Sequence, residues 1–440
     1  MKSLLLLLPF LFTLVSSLIV TRKVNYDGYK VVRLSTGSSL PKVKTLIKDL
    51  SLSTWNGSPK ANAEVDIVVP ADKVAEFESS TTDLAKTVMH ENLGAAIAEE
   101  SDGSDYRGMF LLVQGWLKIN ALREESVGSA NASWFNTYHA YSQHVQFLND
   151  LAATYPSNAE VVTIGSSLQG RPITGIHFYG TGLKGQRPAV VLHGTVHARE
   201  WITTMVTEYF AYSFLSGFSS NTSVRTLLNK YDYYIFPVVN PDGFVYSQTN
   251  DRLWRKNRQS TSGSSCLGHD INRNWNYQWA TPGGASTDPC AQDFKGLAPA
   301  DAPETVVLAS LVNKLAASAQ KLKLFIDYHS YSQLFMTPYG YSCTVLTANN
   351  AEYQSLAQGV AAAIKSVYGT VFKTGPICPT IYQVSGSSVD YVADVTKAQY
   401  SFTSELRDTG KYGFVLPTDQ IAPSGVEAWA GLRYLLGNLK

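Results

Sequence analysis

The chain has 440 residues, 45% of them hydrophobic, which is enough apolar material for more than one buried core. Its 36 lysines and arginines against 35 aspartates and glutamates leave a formal net charge of +1. A balance that even supplies no long-range field to gather nucleic acid or an anionic membrane, and neither is an expected partner.

In chain order, Met1-Lys2-Ser3, a largely apolar run from 4 to 15 and the small residues Ser16 and Ser17 form the pattern of a secretory signal peptide over residues 1–17. The run is shorter than the about 20 residues that a membrane span needs, and no other run reaches that length. A secreted, extracellular protein is therefore expected. Export favours bridges among the four cysteines, Cys266, Cys290, Cys343 and Cys378, which permit three pairings that the sequence does not choose between. With no Cys-x-x-Cys spacing, a cysteine zinc site has nothing to support it. Sequons at Asn56, Asn131 and Asn221 fit export, although such tripeptides also arise by chance.

Residues 18–122 read as a small α+β open-sandwich unit with its connecting segment. Strand-like runs at 29–34 and 65–69 alternate with helix-like ones at 42–50 and 72–77. Residues 122–133 are small and polar, the composition of an exposed, cleavable linker, with the cut placed near Arg123.

From 123 to 440 the pattern changes. A helical spacing at 134–155 precedes apolar runs at 161–164, 189–192, 233–239 and 322–327, several of them unbroken, as expected of strands buried on both faces. Helical patterns at 201–215 and 303–317 complete an α/β layering, a mixed, mostly parallel twisted sheet flanked by helices. In such a sheet ligands gather at the carboxyl ends of the strands. His197 and Glu200 follow one strand and His329 ends another. Two imidazoles and a carboxylate with an open fourth position are the ligand set of a catalytic zinc. Each has a plainer reading, since a lone histidine at a strand end is more often a hydrogen-bonded core residue and His-x-x-Glu alone is a weak pattern.

The surrounding residues strengthen it. His197-Ala198-Arg199-Glu200-Trp201, Leu253-Trp254-Arg255-Lys256, Asp270-Ile271-Asn272-Arg273-Asn274, His329-Ser330-Tyr331-Ser332-Gln333, Ile381-Tyr382-Gln383 and the stretch from Tyr400 through Glu405 to Gly410 follow one another along the chain. Together these blocks resemble the zinc carboxypeptidases of the carboxypeptidase A type, over about residues 131 to 440.

The resemblance implies one zinc ion held by His197, Glu200 and His329, with Asp270 orienting a ligating imidazole. It implies Glu405 as the general base, Arg255 as the group that steadies the oxyanion, and Asn272, Arg273 and Tyr382 as the grip on a peptide's terminal carboxylate. Arg199, Ser330 and Tyr331 belong, by the same matching, to the outer substrate-binding surface. Plainer readings exist too: Asp270 as a solvated or capping aspartate, Arg255, taken without the other blocks, as a solvated loop charge, and Glu405 as a paired structural carboxylate, which is costly on an otherwise apolar strand. Val389 stands where relatives that select basic chain ends carry an acid, which implies apolar or aromatic C-terminal residues as substrate, while Asp390 next to it points elsewhere in a strand or tight loop. Gly340, Ile377 and Thr403 are further candidates for the wall of that pocket. The N-terminal unit is implied to be an inhibitory propeptide removed by an activating protease, the bridges Cys266–Cys290 and Cys343–Cys378, and the mature enzyme a monomer acting on peptide or protein C-termini. Two other readings stay open: a carboxypeptidase-like binding protein without catalysis, and a zinc amidase sharing the metal site.

Overall fold

The computed structural model describes residues 23–57, 59–101 and 131–440. The expected signal peptide at 1–17, Arg123 and the boundary between 122 and 123 lie outside the described residues.

The N-terminal unit contains β1 (Lys30–Ser35), α1 (Leu40–Asp49), β2 (Ser53–Thr54), β3 (Glu64–Val69), α2 (Val74–Ser80), β4 (Lys86–His90) and α3 (Leu93–Ser101). Its antiparallel sheet has the order β2-β3-β1-β4. The two-residue period of β1 decides what each face does. Val32 and Leu34 join Val43, Leu46 and Phe77 in the unit's own core, beneath α1 and α2. Val31 points the other way, into a second cluster with Trp55, Leu253, Tyr331 and Phe414, so this face of the sheet is packed on the rest of the chain.

The larger unit is built from α4 (Tyr141–Thr154), β5 (Ala159–Ser166), β6 (Pro172–Phe178), β7 (Ala189–His193), α5 (Trp201–Gly217), α6 (Thr222–Lys230), β8 (Asp232–Phe236), α7 (Pro241–Thr249), α8 (Pro303–Ala317), β9 (Leu322–His329), β10 (Leu334–Thr337), α9 (Asn350–Tyr368), β11 (Lys373–Pro376), α10 (Ile377–Thr380), α11 (Ser388–Asp394), β12 (Tyr400–Glu405) and α12 (Ile421–Asn438). Its eight strands run in the order β11-β10-β12-β9-β7-β8-β6-β5. The four central strands are parallel, while β5 and β6 are joined antiparallel at one edge and β10 meets β12 antiparallel near the other. The sheet is thus mixed with a parallel centre, as the apolar runs predict.

Alternate residues of β7 serve two cores. Val190 and Leu192 pack with α4, α5, α6, α9 and α12, while Ala189 and Val191 pack with α8 and α11. Burial on both faces is why the run carries no polar alternation. Disulfides join Cys266 to Cys290 and Cys343 to Cys378. Asn131 and Asn221 are exposed N-cap residues whose side-chain oxygens accept from Ser133 and from Ser223 and Val224. Asn56 is more engaged, accepting the Asp66 N–H and donating to the Glu64 carbonyl.

Candidate functional site

β7 ends at His193, and a tight loop carries the chain to α5. A side chain at Gly194 would fall 2.8 Å from the Thr203 carbonyl oxygen, so the loop passes against the first turn of the helix only as glycine. Thr203 Oγ1 accepts the Thr195 N–H and donates to the Glu200 carbonyl, tying the loop to that turn. Glu200 is the residue before the helix, three after His197, so both side chains meet at the rim of the sheet. β9, next to β7, delivers His329 to the same rim.

The three groups converge. His197 Nδ1 lies 2.7 Å from Glu200 Oε1, His329 Nδ1 lies 3.1 Å from Glu200 Oε2, and the two Nδ1 atoms are 3.1 Å apart. Two imidazole nitrogens that close cannot both carry protons, and lone pairs directed at one point beside a carboxylate suit a small divalent cation. All three residues are buried, and their ligand atoms lie within 4.8 Å of one another, close enough to share one metal ion. Burial alone would raise the Glu200 carboxyl, but His197 and His329 hold it well below the usual carboxylate range. The Ser330 N–H donates to Glu200 Oε2 at 3.2 Å, and the buried Ser330 hydroxyl has no hydrogen-bond partner.

Asp270 accepts from His197 Nε2 at 3.2 Å through Oδ1 and from Arg255 Nη2 at 2.8 Å through Oδ2. Burial would raise its carboxyl, and Arg255, Arg273 and His197 pull it well down instead. It also caps the short turn Ile271–Arg273 by accepting the Asn272 N–H, which aims the next two side chains into the recess. Asn272 is more engaged with its own protein than a free substrate clamp would be. Its Oδ1 accepts the Ser388 N–H at 2.9 Å and its Nδ2 lies 3.2 Å from His329 Nε2. Arg273 donates from Nη1 to the Asn272 carbonyl, while its buried Nε has no partner.

Parallel pairing of β9 with β12 sets Glu405 opposite His329. Glu405 keeps some exposure because it lines the recess, yet the protein groups around it push its carboxyl up to about 8. Burial is the main cause; Glu200 adds to it, and His329 and Arg255 oppose it.

The recess beside these groups is walled by Met336, Ile377, Ile381, Val384, Val389 and Thr403, and Tyr382 lines it as well. Gly340 stands behind Val384 and Ile377. Val389 and Asp390 lie in the first turn of α11, where the sequence suggests a strand or loop; the Ser387 hydroxyl caps that helix. Asp390 turns its carboxylate to the N–H groups of Gly340 and Tyr341, away from the recess, and burial raises it to about 7.

The N-terminal unit lies across the outer cleft. Arg199, buried, donates to the Trp55 carbonyl at 3.0 Å, and burial lowers its guanidinium to about 10. Tyr331 donates its hydroxyl to Asp66, which also receives Arg33 at 2.6 and 2.7 Å. Lys60 sits 4.7 Å above the Tyr382 ring. Arg252 donates to both oxygens of Glu100 at 2.6 Å in a fully buried pair. No local pattern in the sequence marks Trp55, Lys60, Asp66 or Glu100 as partners of the cleft, since each gains its role from a residue far along the chain.

A zinc carboxypeptidase family model matches residues 144–431 and a carboxypeptidase activation peptide model matches residues 31–100. The chain belongs to the zinc carboxypeptidase family. Among similar proteins, the metallocarboxypeptidase A-like protein of Trichophyton verrucosum is 48% identical over 442 residues, 100% of both chains. Metallocarboxypeptidase A of Trichophyton rubrum is 44% identical over 95% of this chain and 94% of its own. Carboxypeptidase A2 of Rattus norvegicus is 40% identical over 78% of this chain and 80% of its own. The fold matches the crystal structure of thrombin activatable fibrinolysis inhibitor with a TM-score of 0.82 at 26% identity, over 93% of this chain and 98% of that one. This carboxypeptidase is therefore a zinc-dependent hydrolase that carries its own activation peptide, the N-terminal unit seated on the cleft, and is activated by proteolytic cleavage.

Proposed function

We propose that this chain is a secreted zymogen whose mature form releases apolar or aromatic residues from peptide C-termini, with one zinc ion between His197, Glu200 and His329. The observation that carries the preference is the recess wall: Val389, Ile377, Val384 and Met336 offer no countercharge, and Asp390 is turned away. Burying an aromatic or aliphatic side chain there gains about 1.5–3 kcal/mol, whereas a lysine or arginine head would lose its hydration without compensation.

In this reading zinc, when bound, polarises the scissile carbonyl and acidifies a water. Glu405, whose carboxylate burial makes more basic than an ordinary one, takes the proton from the attacking water and delivers it to the departing amine. Arg255, fixed by Asp270, faces the oxygen on which charge develops. The unpartnered Nε of Arg273, with Tyr382 and Asn272, receives the terminal carboxylate, so cleavage is limited to the last residue. Arg199, Ser330 and Tyr331 contact residues further from the chain end once the activation peptide has gone.

The signal peptide over 1–17, the division into 18–122 and 123–440, a cut near Arg123, glycans on Asn56, Asn131 and Asn221, and a monomeric mature enzyme complete the proposal. Among the described residues no helix is long and apolar enough to cross a membrane. A non-catalytic binding protein would have no use for the full set of base, oxyanion and clamp groups, and a zinc amidase would not need the clamp. The test is hydrolysis of N-blocked dipeptides ending in Phe, Leu or Arg, before and after limited proteolysis, with and without a chelator. Chelator-sensitive release of Phe and Leu well above Arg, rising on proteolysis, is expected. Equal rates for Arg would overturn the assigned specificity.

A further inference from the structure

Both imidazoles that turn Nδ1 toward the shared point turn Nε2 toward a carboxylate. For His197 it is Asp270. For His329 it is Asp327, whose Oδ1 lies 3.0 Å away. Asp327 precedes His329 by two residues on β9, so the two side chains leave the same face of the strand.

Asp327 is fully buried, and its Oδ2 accepts the Ser388 hydroxyl at 2.6 Å. Its Oδ1 makes no in-line hydrogen bond and lies between two ring nitrogens, His329 Nε2 and, at 3.5 Å, His193 Nδ1. His193 ends β7, and the sheet register sets it directly opposite Asp327. It too is fully buried, packed on Phe325 at 5.0 Å, with neither ring nitrogen hydrogen-bonded. Two buried polar groups with unsatisfied atoms are costly, and they stand one layer behind His329.

Asn272 Nδ2 also approaches His329 Nε2, at 3.2 Å. It is a donor, however, because its Oδ1 is already committed to the Ser388 N–H. An imidazole that offers Nδ1 to a cation carries its proton on Nε2 and requires an acceptor there, which Asp327 supplies and Asn272 does not.

We propose that Asp327, backed by His193 and Ser388, is a positioning residue that fixes the tautomer and ring direction of His329 for the metal. The inference rests on His197, Glu200 and His329 being the ligands. His193 Nδ1 faces the same oxygen at 3.5 Å and backs Asp327 on the side away from His329.

The test uses the full-length zymogen carrying Asp327→Asn, His193→Leu and His193→Asn, the last placing an amide donor near the original Nδ1. Zinc affinity is measured by chelator competition, the d–d spectrum after cobalt substitution, and thermal stability of the metal-free protein as the control for folding. Asp327→Asn is expected to weaken zinc about 10–100-fold and alter the cobalt spectrum. His193→Leu should weaken it by less, and His193→Asn should restore binding close to wild type. Unchanged zinc affinity and cobalt spectrum in a folded Asp327→Asn protein would overturn the proposal. If that variant does not fold, unchanged binding in His193→Leu overturns it instead. Failure of the wild-type protein to bind zinc would sink the ligand assignment itself, a separate outcome.

Discussion

At the scale of single residues, the active site is a set of charges held apart by their partners. The Glu405 carboxylate makes no hydrogen bond among the described residues, so its chemistry depends on burial and on the charges around it. Glu405→Gln keeps the shape, and zinc content should stay at the wild-type level while turnover falls by about 10²–10⁴. Wild-type-like rates would remove its role as base. Arg273→Ala should slow substrates with a free terminal carboxylate far more than amidated ones; an equal loss on both contradicts a carboxylate clamp. Asp390 carries a pH signature. Its carboxyl, raised by burial from the ordinary value to about 7, binds a proton more tightly in the folded chain than in the unfolded one. The fold therefore loses stability as pH rises from about 4 through about 7. The stability advantage of wild type over Asp390→Asn should shrink across that range, as read by thermal denaturation of both proteins, and a constant gap would show that Asp390 does not titrate there.

Among elements, the contact that distinguishes zymogen from enzyme runs through α3 and the loops it touches. Glu100 and Arg252 are buried together, and the same guanidinium lies 3.7 Å from the Trp201 ring. Removing one member of a buried pair costs about 3–5 kcal/mol, because the other charge is left without compensation. In Glu100→Gln that cost falls on the zymogen alone, since residue 100 belongs to the activation peptide. The uncleaved variant should be activated faster by limited proteolysis and leak activity beforehand, while the mature enzymes remain indistinguishable. Equal activation rates would mean that the peptide is held by its Trp55 and Asp66 contacts instead. The Asp66 contact follows from the two-residue period of β3: Val65, Ile67 and Val69 fill the unit's own core, while Asp66 and Val68 leave the other face of the strand toward the cleft.

For the whole molecule, the proposed ligands His197, Glu200 and His329 link parts of the chain that are more than a hundred residues apart, so metal binding there would contribute to folding. Chelation should lower the melting temperature of the activated enzyme by several degrees and readdition of zinc should restore it. An unchanged melting curve would argue against a resident ion in the three-residue set. Much of this architecture is legible in one sequence. Unbroken apolar runs mark β7 and β9 because burial on both faces leaves no place for polar alternation, and histidines at their ends mark the rim where ligands collect. The helix at α11 is less legible: its seven residues, Ser388 to Asp394, are too few to establish a helical period, and its start is set by the Ser387 cap and by packing on β12 and β9.

What the sequence determined by itself was chemical type and order: two imidazoles, several carboxylates and a run of arginines, spaced as the zinc carboxypeptidases space them, after a separate small unit. The tertiary structure alone decided which of those groups touch. Asp327 gains its place beside His329 and His193 from strand register, and Asp66 and Glu100 gain theirs from the docking of the N-terminal unit on loops of the larger one. Both are long-range matters, because hydrogen-bond and ion-pair geometry depends on ångström-scale separations that no local pattern along the chain encodes.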